Sequence, residues 1–290
     1  MSIIKHRRGA WVNQYAQPPS ERFLARARQV DYVIIKYGLQ QYERLAHAHQ
    51  VPWLAERMGE SATGDQSGPS QAVRYGRELA AQAMQPGCVG AVINLEEADG
   101  GWHLDDGAAT RRLIEAFRAN APGRPLFASL DTRGNRPRSP YQRVCAELCE
   151  GVMPMVYPQA FGQPAAVAFA AAINPLMRDA WAGKEIHATY QAYGSADVPA
   201  QVAELSRLDI AGIIQGANAY TLGHATDAQW SAGLTYVPAP AQPAPPAPDV
   251  PGALRALRTL WVDGWHTIEQ RGTVAEAAAF AEFWRKVTGT

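Results

Sequence analysis

The sequence is poor in several features that would each point to a particular class of protein. Its 290 residues include three cysteines, an odd number whose spacing fits neither a disulfide framework nor a zinc finger. Its 27 basic and 27 acidic side chains cancel, so no excess charge favours nucleic acid or an acidic membrane surface as a partner. No apolar run reaches the roughly 18 residues of a membrane helix. The basic N-terminus leads into no apolar core, so we expect synthesis in the cytoplasm without a signal peptide.

Two further absences concern cofactors and metals. The first apolar run is not followed by the G-x-G-x-x-G motif of dinucleotide-binding sheets. The seven histidines form neither an H-E-x-x-H motif nor an H-x-x-x-H pair. We therefore expect no cofactor and no catalytic metal.

One segment is rich in proline and divides the chain. Residues 237–252 contain seven prolines in sixteen positions, and proline fixes φ and lacks a backbone donor, so an extended linker is predicted there. The main body is then 1–236, and the remaining residues 253–290 form a predicted helical hairpin rich in tryptophan and phenylalanine. Because so short a segment cannot enclose its own aromatic side chains, we expect it to pack on the body, on a second copy or on a larger assembly.

The main body contains eight apolar runs, each followed by a turn and a helical pattern. They cover residues 9–15, 31–38, 51–57, 88–97, 124–131, 151–159, 185–193 and 210–220. Strands that alternate with helices form parallel sheets, because parallel strands need crossover connections. Eight such units in this length predict an α/β protein with a (β/α)8 TIM barrel, and an open doubly wound sheet is the competing arrangement.

Polar residues within the predicted strands indicate which side chains face the barrel interior. The outer face of each strand meets apolar helices, so a polar residue in mid-strand points inward, and side chains alternate along a strand. By this rule Gln159 continues the inner row of the sixth strand, whereas in the third strand either Glu56 or Arg57 faces inward. Seven strands end in an inward polar residue, which predicts a functional pocket at that end: Asn13, Lys36, Glu96, Asp131, Tyr157, Gln191 and Gln215.

The fourth strand ends in the strongest chemical element, Asn94-Leu95-Glu96-Glu97. The carboxyl of Glu96, half-buried and flanked by aromatic residues such as Trp102, can serve as a general acid. If the strand phase is shifted by one residue, Glu97 takes this role instead. Glycosidases ordinarily use two carboxylates. The seventh strand ends without one, and Asp131 is the nearest alternative.

At these residues the chain resembles a known family. GAVINLEE (90–97) and Met155-Val156-Tyr157 resemble the fourth- and sixth-strand motifs of chitinase-like barrels, glycoside hydrolase family eighteen. The resemblance implies that Glu96 is the proton donor, that Asn94 takes the place of the aspartate that positions the substrate acetamide, and that Tyr157 hydrogen-bonds this acetamide. It also implies that the substrate's own N-acetyl group is the nucleophile. The earlier aspartate of the motif is Val92 here, and the sixth strand also resembles glycoside-hydrolase-like barrels of phage proteins.

Other residues of the predicted pocket are candidates for contact with substrate. Trp11, Trp53 and Trp102 lie at or near predicted strand ends, where they could form a platform for sugar rings. Lys36 is either a Schiff-base lysine or an ion-pair partner of Glu96 or Glu56. The residues assigned to substrate binding are Trp11, Asn13, Lys36, Glu97, Trp102, Gln159, Gln191 and Gln215.

The sequence leaves three hypotheses for function. The first is a glycoside-hydrolase-like barrel that acts on an N-acetylated glycan, for instance peptidoglycan, with Glu96 as general acid. The second is a non-catalytic barrel that binds or supports a larger assembly such as a phage tail, which would place the protein in a virion and give residues 237–290 a role in oligomer or assembly contacts. The third is a lyase or aldolase that uses Lys36.

Overall fold

The computed structural model describes residues 4, 7–13, 17–59, 68–96, 107–178 and 180–238, with the backbone alone at 58–59 and 68–70. The chain divides into two compact units, 1–241 and 242–290, and the second lies outside the described residues. Beyond Pro238, the predicted linker and the predicted hairpin also lie outside them. Among the described helices, none is both long and apolar enough to cross a bilayer.

The predicted (β/α)8 barrel is confirmed. Eight parallel strands close into one barrel in the order of the sequence, and the last strand pairs with the first. The strands are β1 (Arg7–Val12), β2 (Tyr32–Lys36), β3 (Trp53–Gly59), β4 (Cys88–Leu95), β5 (Leu126–Leu130), β6 (Gly151–Val156), β7 (Glu185–Gln191) and β8 (Gly216–Tyr220).

A helix follows each strand and covers the outside of the barrel. The helices are α1 (Ser20–Ala27), α2 (Gln40–Ala48), α3 (Gly68–Ala83), α4 (Gly107–Asn120), α5 (Pro140–Leu148), α6 (Ala165–Ile173), α7 (Val198–Ile210) and α8 (Asp227–Gly233), with a short 3-10 helix at Arg136–Arg138. Local capping fixes some of their starts: Thr226 and Gln229 form a reciprocal capping box on α8, and Asp197 caps α7.

The apolar side chains form two separate layers, as the alternation of the strands requires. The outer layer lies between the strands and the helices and includes Leu95 and Val156. The inner layer fills the interior of the barrel, which is therefore a packed core rather than a pore. Its fully described members are Ile4, Trp11, Tyr32, Ile34, Leu54, Val92, Phe127 and Met153.

The start of the eighth strand differs from the sequence prediction. The run 210–220 was expected to be a strand with Ile213 and Gln215 facing inward, but α7 continues to Ile210 and β8 begins only at Gly216. Gly212 adopts a φ of +69°, and the Ile213 amide donates to the Leu208 carbonyl at 2.9 Å, which is the pattern that closes a helix C-terminus. Gln215 therefore lies at the N-terminal end of β8, opposite the predicted pocket.

Candidate active site

The C-terminal ends of all eight strands lie at one end of the barrel, which we call the mouth. Because the strands are parallel and consecutive, the last inward residue of each strand reaches this end. The structure brings together there six of the seven predicted strand-end residues and four others, Glu56, Asn94, Tyr193 and Tyr220. The mouth residues are Asn13, Lys36, Glu56, Asn94, Glu96, Asp131, Tyr157, Gln191, Tyr193 and Tyr220.

Glu96 occupies the predicted position directly after β4. Leu95 belongs to the outer apolar layer and Val92 to the inner one, so the predicted phase, with Val92, Asn94 and Glu96 facing inward, is confirmed. Asn94 is buried, and its Nδ2 donates to Glu96 Oε1 at 3.0 Å. Glu96 itself is half-buried, so the residue is held by a neighbour and remains partly exposed.

Glu56 is the residue of β3 that faces inward, which resolves the open choice between Glu56 and Arg57. Glu56 is 1% exposed. The Arg57 side chain leaves the barrel, where its guanidinium lies 4.6 Å from the Tyr37 ring and 4.3 Å from the Tyr75 ring and pairs with Glu78 at 3.1 Å.

Burial dominates the electrostatics of Glu56. It raises the pKa of this carboxyl from 4.5 to about 7, because the charged form loses its hydration. Lys36, the register partner of Glu56 on β2, and a hydrogen bond from Asn94 oppose this shift, and the charge of Glu96 adds to it. This interaction with Glu56 agrees with the ion-pair interpretation of Lys36.

Asp131 follows β5 at the mouth, and two arginines bind its carboxylate. Arg133 Nε donates to Oδ1 at 2.9 Å and Arg133 Nη2 to Oδ2 at 2.7 Å, while Arg136 Nε lies 3.5 Å from Oδ2. Burial alone would raise the pKa of Asp131, but the hydrogen bonds from Arg133 outweigh it and lower this pKa below the usual value. The Asp131 carboxylate therefore anchors the loop after β5, and Arg133 stacks over the Phe161 ring at 3.5 Å.

Three tyrosines line the mouth on the side of β6, β7 and β8. The Tyr220 ring lies 5.4 Å from that of Tyr157 and 6.0 Å from that of Tyr193. Asn13 Nδ2 donates to the Tyr220 hydroxyl at 2.6 Å. Burial raises the pKa of Tyr220 to about 12 and that of Tyr157 well above its usual value, so both hydroxyls keep their protons at neutral pH and can donate.

Several predicted substrate contacts lie elsewhere than expected. Trp11 is buried within the barrel, where it meets the Tyr220 ring edge-on, and Trp53 starts β3 at the end opposite the mouth. Gln159 does not extend the inner row, because β6 ends at Val156; it is exposed in the following turn and donates to Ser195. Gln191 does lie at the mouth, but it is buried and bonds to the backbone of Ala160 and Tyr193. Glu97 and Trp102 lie outside the described residues.

Glu56, Tyr193 and Tyr220 are mouth residues that the sequence analysis did not assign. The signal for Tyr220 is Asn218, a polar residue in the middle of β8 that accepts from Tyr32 at 2.5 Å inside the barrel and so marks the inner row two residues before Tyr220. Across the described residues, no cluster of three histidine, cysteine, aspartate or glutamate side chains could hold a metal ion.

No protein-family profile matches the chain, and no curated protein matches its sequence. Solved structures nevertheless share its fold. A chitinase from Rhizomucor miehei superposes with a TM-score of 0.59 and 12% identity, covering 79% of this chain and 98% of that one. The spore cortex-lytic enzyme of Bacillus cereus has a TM-score of 0.59 and 10% identity, with coverage of 80% and 74%. The catalytic domain of a family GH18 chitinase from the fern Peteris ryukyuensis has a TM-score of 0.56 and 12% identity, with coverage of 79% and 97%.

These comparisons show what the barrel is similar to in three dimensions. The chain is structurally similar to GH18 chitinases and to other glycoside-hydrolase TIM barrels at low sequence identity, as the resemblance of its two strand motifs implied. At such identities the similarity shows the fold alone, so any activity has to be argued from the mouth residues themselves.

Proposed function

We propose that this chain hydrolyses an N-acetylated glycan, with peptidoglycan as its natural substrate class and Glu96 as the general acid. One observation carries the proposal: of the described carboxyls at the mouth, Glu96 is the one that is partly exposed and is held by an amide, Asn94, rather than by arginines. Glu56 is too deeply buried to touch a sugar, and Asp131 is bound by two arginines. Barrel enzymes of this fold act at the same end of the barrel.

The described carboxyls of the mouth support a mechanism in which the substrate supplies the nucleophile. A retaining pair needs a second carboxylate facing the sugar about 5 Å from the first. Asp131, which follows the neighbouring strand β5, is partly exposed, but its ion pairs with Arg133 and Arg136 hold it as a fixed anion. An acetamide on the sugar removes this need, because its carbonyl oxygen can attack the anomeric carbon from within the substrate.

The proposed reaction has two steps. Protonated Glu96 gives its proton to the glycosidic oxygen while the acetamide oxygen bonds to the anomeric carbon, so the leaving sugar departs as an alcohol and an oxazolinium ion remains. Water then attacks the anomeric carbon, Glu96 takes its proton, and the acetamide re-forms on a product with retained configuration. Asn94 and Tyr157, as the family resemblance implies, would orient the acetamide.

The tyrosines give the mouth a surface that suits a sugar ring. Tyr157, Tyr193 and Tyr220 pack at centroid distances of 5.4–6.5 Å and keep protonated hydroxyls at neutral pH. Aromatic faces match the apolar C–H face of a pyranose, and hydroxyl groups can bond to its polar edge. The chitinases and the cortex-lytic enzyme of similar fold support a glycan as the ligand.

The proposal is tested by measuring reducing ends released from purified peptidoglycan and from N-acetylglucosamine oligosaccharides. We expect cleavage of at least one of these substrates by the full chain. Asp131→Asn should retain activity to within about tenfold, because this carboxylate takes no part in proton transfer. A loss of about 100-fold or more in a folded Asp131→Asn protein would show that Asp131 acts as a second catalytic carboxylate.

The alternative is a barrel that binds glycan without cleaving it. Its support is specific: Val92 and Asn94 occupy inner positions of β4 where the resembled motif has aspartates. Binding of the same oligosaccharides, measured by calorimetry, without any release of reducing ends over the full pH range would decide for this alternative and against the hydrolase.

A further inference from the structure

Arg133 is a cation at the mouth that the protein uses only in part. Its Nε donates to Asp131 Oδ1 at 2.9 Å, and its Nη2 donates to Asp131 Oδ2 at 2.7 Å. A guanidinium carries five N–H groups, and Nη1 donates to no group in the described part of the chain. Nη1 is not buried, and the Arg133 side chain is 30% exposed. Donors of this residue are therefore open to a ligand.

Aromatic packing fixes the orientation of the Arg133 guanidinium. The group lies over the Phe161 ring, 3.5 Å from its centroid, and the Phe161 ring lies 6.0 Å from that of Tyr157. With Asp131 at one edge and Phe161 on one face, the planar guanidinium is held before any ligand arrives. Little side-chain entropy then remains to be lost when it binds one.

The backbone that carries Arg133 is also held in place. The Thr132 hydroxyl donates to the Ala172 carbonyl of α6 at 2.6 Å, and Gln142 Nε2 of α5 donates to the Asp131 carbonyl at 2.7 Å. Both bonds tie the loop after β5 to helices of the barrel. A group that binds a ligand is most effective on such a fixed support.

Arg133 lies beside the proposed general acid. Leu95 on β4 and Leu130 on β5 are register partners, so Glu96 and Asp131, which follow them directly, continue neighbouring strands about 4.8 Å apart. Because Arg133 is bonded to the Asp131 carboxylate, its guanidinium lies at the part of the mouth where sugars next to the cleaved bond would rest. Arg136 also faces Asp131, at 3.5 Å from Oδ2, so two guanidinium groups share this one carboxylate.

We propose that Arg133 binds a carboxylate of the substrate and thereby selects N-acetylated glycans that carry carboxylates over neutral ones. Arginine suits this role because its N–H groups match the two oxygens of a carboxylate. Peptidoglycan carries such groups, on the lactyl ethers of its muramic acid residues and on its peptides, whereas chitin carries none. This inference rests on the proposed function, because it takes a glycan at the mouth as its starting point.

Cleavage of two saccharides that differ only in charge tests the proposal. One is a peptide-free oligosaccharide of N-acetylglucosamine and N-acetylmuramic acid, and the other is the same compound with its carboxyls converted to amides. In the parent chain, kcat/KM should favour the charged compound by about tenfold or more. Arg133→Met should lose this preference, and Arg133→Lys, which keeps the charge but not the planar group, should keep part of it.

Arg207→Met is the matched control for this experiment. Arg207 forms the same two-bond pair with a carboxylate, from Nε to Glu204 Oε2 at 3.0 Å and from Nη2 to Glu204 Oε1 at 2.6 Å, but on α7 outside the barrel. Its replacement should leave the charge preference as in the parent chain. A preference that persists in folded Arg133→Met would overturn the proposal, as would equal loss of both substrates. If Arg133→Met fails to fold, a preference in Arg133→Lys equal to that of the parent chain would overturn it.

A binding measurement separates this proposal from the proposed function. Calorimetry in a Glu96→Gln background needs no cleavage, and the charged saccharide should bind about tenfold more tightly than its amide. The added Arg133→Met change should remove this difference. A muropeptide and its amide form the second pair, because a preference confined to them would assign the bound carboxylate to the peptide rather than to the lactyl group. No preference in either pair would overturn the proposal, whereas absence of cleavage alone would refute the hydrolase and leave the role of Arg133 to these affinities.

Discussion

Replacing Glu96 by glutamine is expected to lower kcat for cleavage of an N-acetylated glycan by about 10²–10⁴-fold, the contribution typical of a general acid. Glutamine keeps the shape of the side chain and can still accept a hydrogen bond from Asn94, so the fold should persist. It has no acidic proton to give to the glycosidic oxygen, and a sugar alkoxide is a poor leaving group. KM should change much less than kcat, because the lost interaction is made in the transition state.

Glu97→Gln is the control for this experiment. Glu97 is the neighbouring carboxyl that would replace Glu96 if the strand phase were shifted, but the alternation of β4 places Asn94 inside the barrel and Leu95 outside it. We therefore expect activity within about tenfold of the parent chain for Glu97→Gln. A severe loss in Glu97→Gln together with an active Glu96→Gln would transfer the role of general acid to Glu97.

Glu56 should make the stability of the protein depend on pH between about 4.5 and 7. A carboxyl whose pKa is raised from 4.5 to about 7 binds its proton more tightly in the folded than in the unfolded chain. As pH rises through this interval, the unfolded chain releases the proton first, so the free energy of unfolding falls, and above pH 7 this contribution is constant. Over the whole interval, this pKa shift lowers the free energy of unfolding by about 3 kcal/mol.

Urea denaturation of the parent chain and of Glu56→Gln at several pH values measures this effect. Contributions from other groups, such as Asp131 with its lowered pKa, are common to both proteins and cancel in the difference. The parent chain should lose about 3 kcal/mol relative to Glu56→Gln between pH 4.5 and pH 8. A difference that stays constant over this range would mean that Glu56 titrates normally in the folded protein.

Much of the barrel could be predicted from the sequence because of one physical constraint. The outer face of a barrel strand packs against apolar helices, so a polar residue in mid-strand must face inward. Asn94 on β4 and Ser129 on β5 follow this rule, are buried, and pair in register. The same rule placed Glu96 correctly and placed Tyr157 and Gln191 at the mouth.

The rule could not place residues where its assumptions did not hold. In β3 the adjacent Glu56 and Arg57 are both charged, so polarity alone does not show which of them faces inward. Arg57 faces outward because its guanidinium packs against two tyrosine rings, Tyr37 in the turn after β2 and Tyr75 on α3. In the eighth unit, the apolar residues after Gly212 belong to a helix C-terminus rather than to a strand, so the predicted inner row began too early. Such contacts are tertiary and leave no local pattern in the sequence.

The central claim is that Glu96 acts with the substrate's own acetamide rather than with a second protein carboxylate. The most direct test compares the initial rate of cleavage of a fully N-acetylated oligosaccharide with that of the same oligosaccharide after removal of its acetyl groups. Without the acetamide there is no nucleophile, so we expect the rate to fall by at least about 100-fold. Equal rates on the two substrates would contradict the mechanism and would require a nucleophile from the protein.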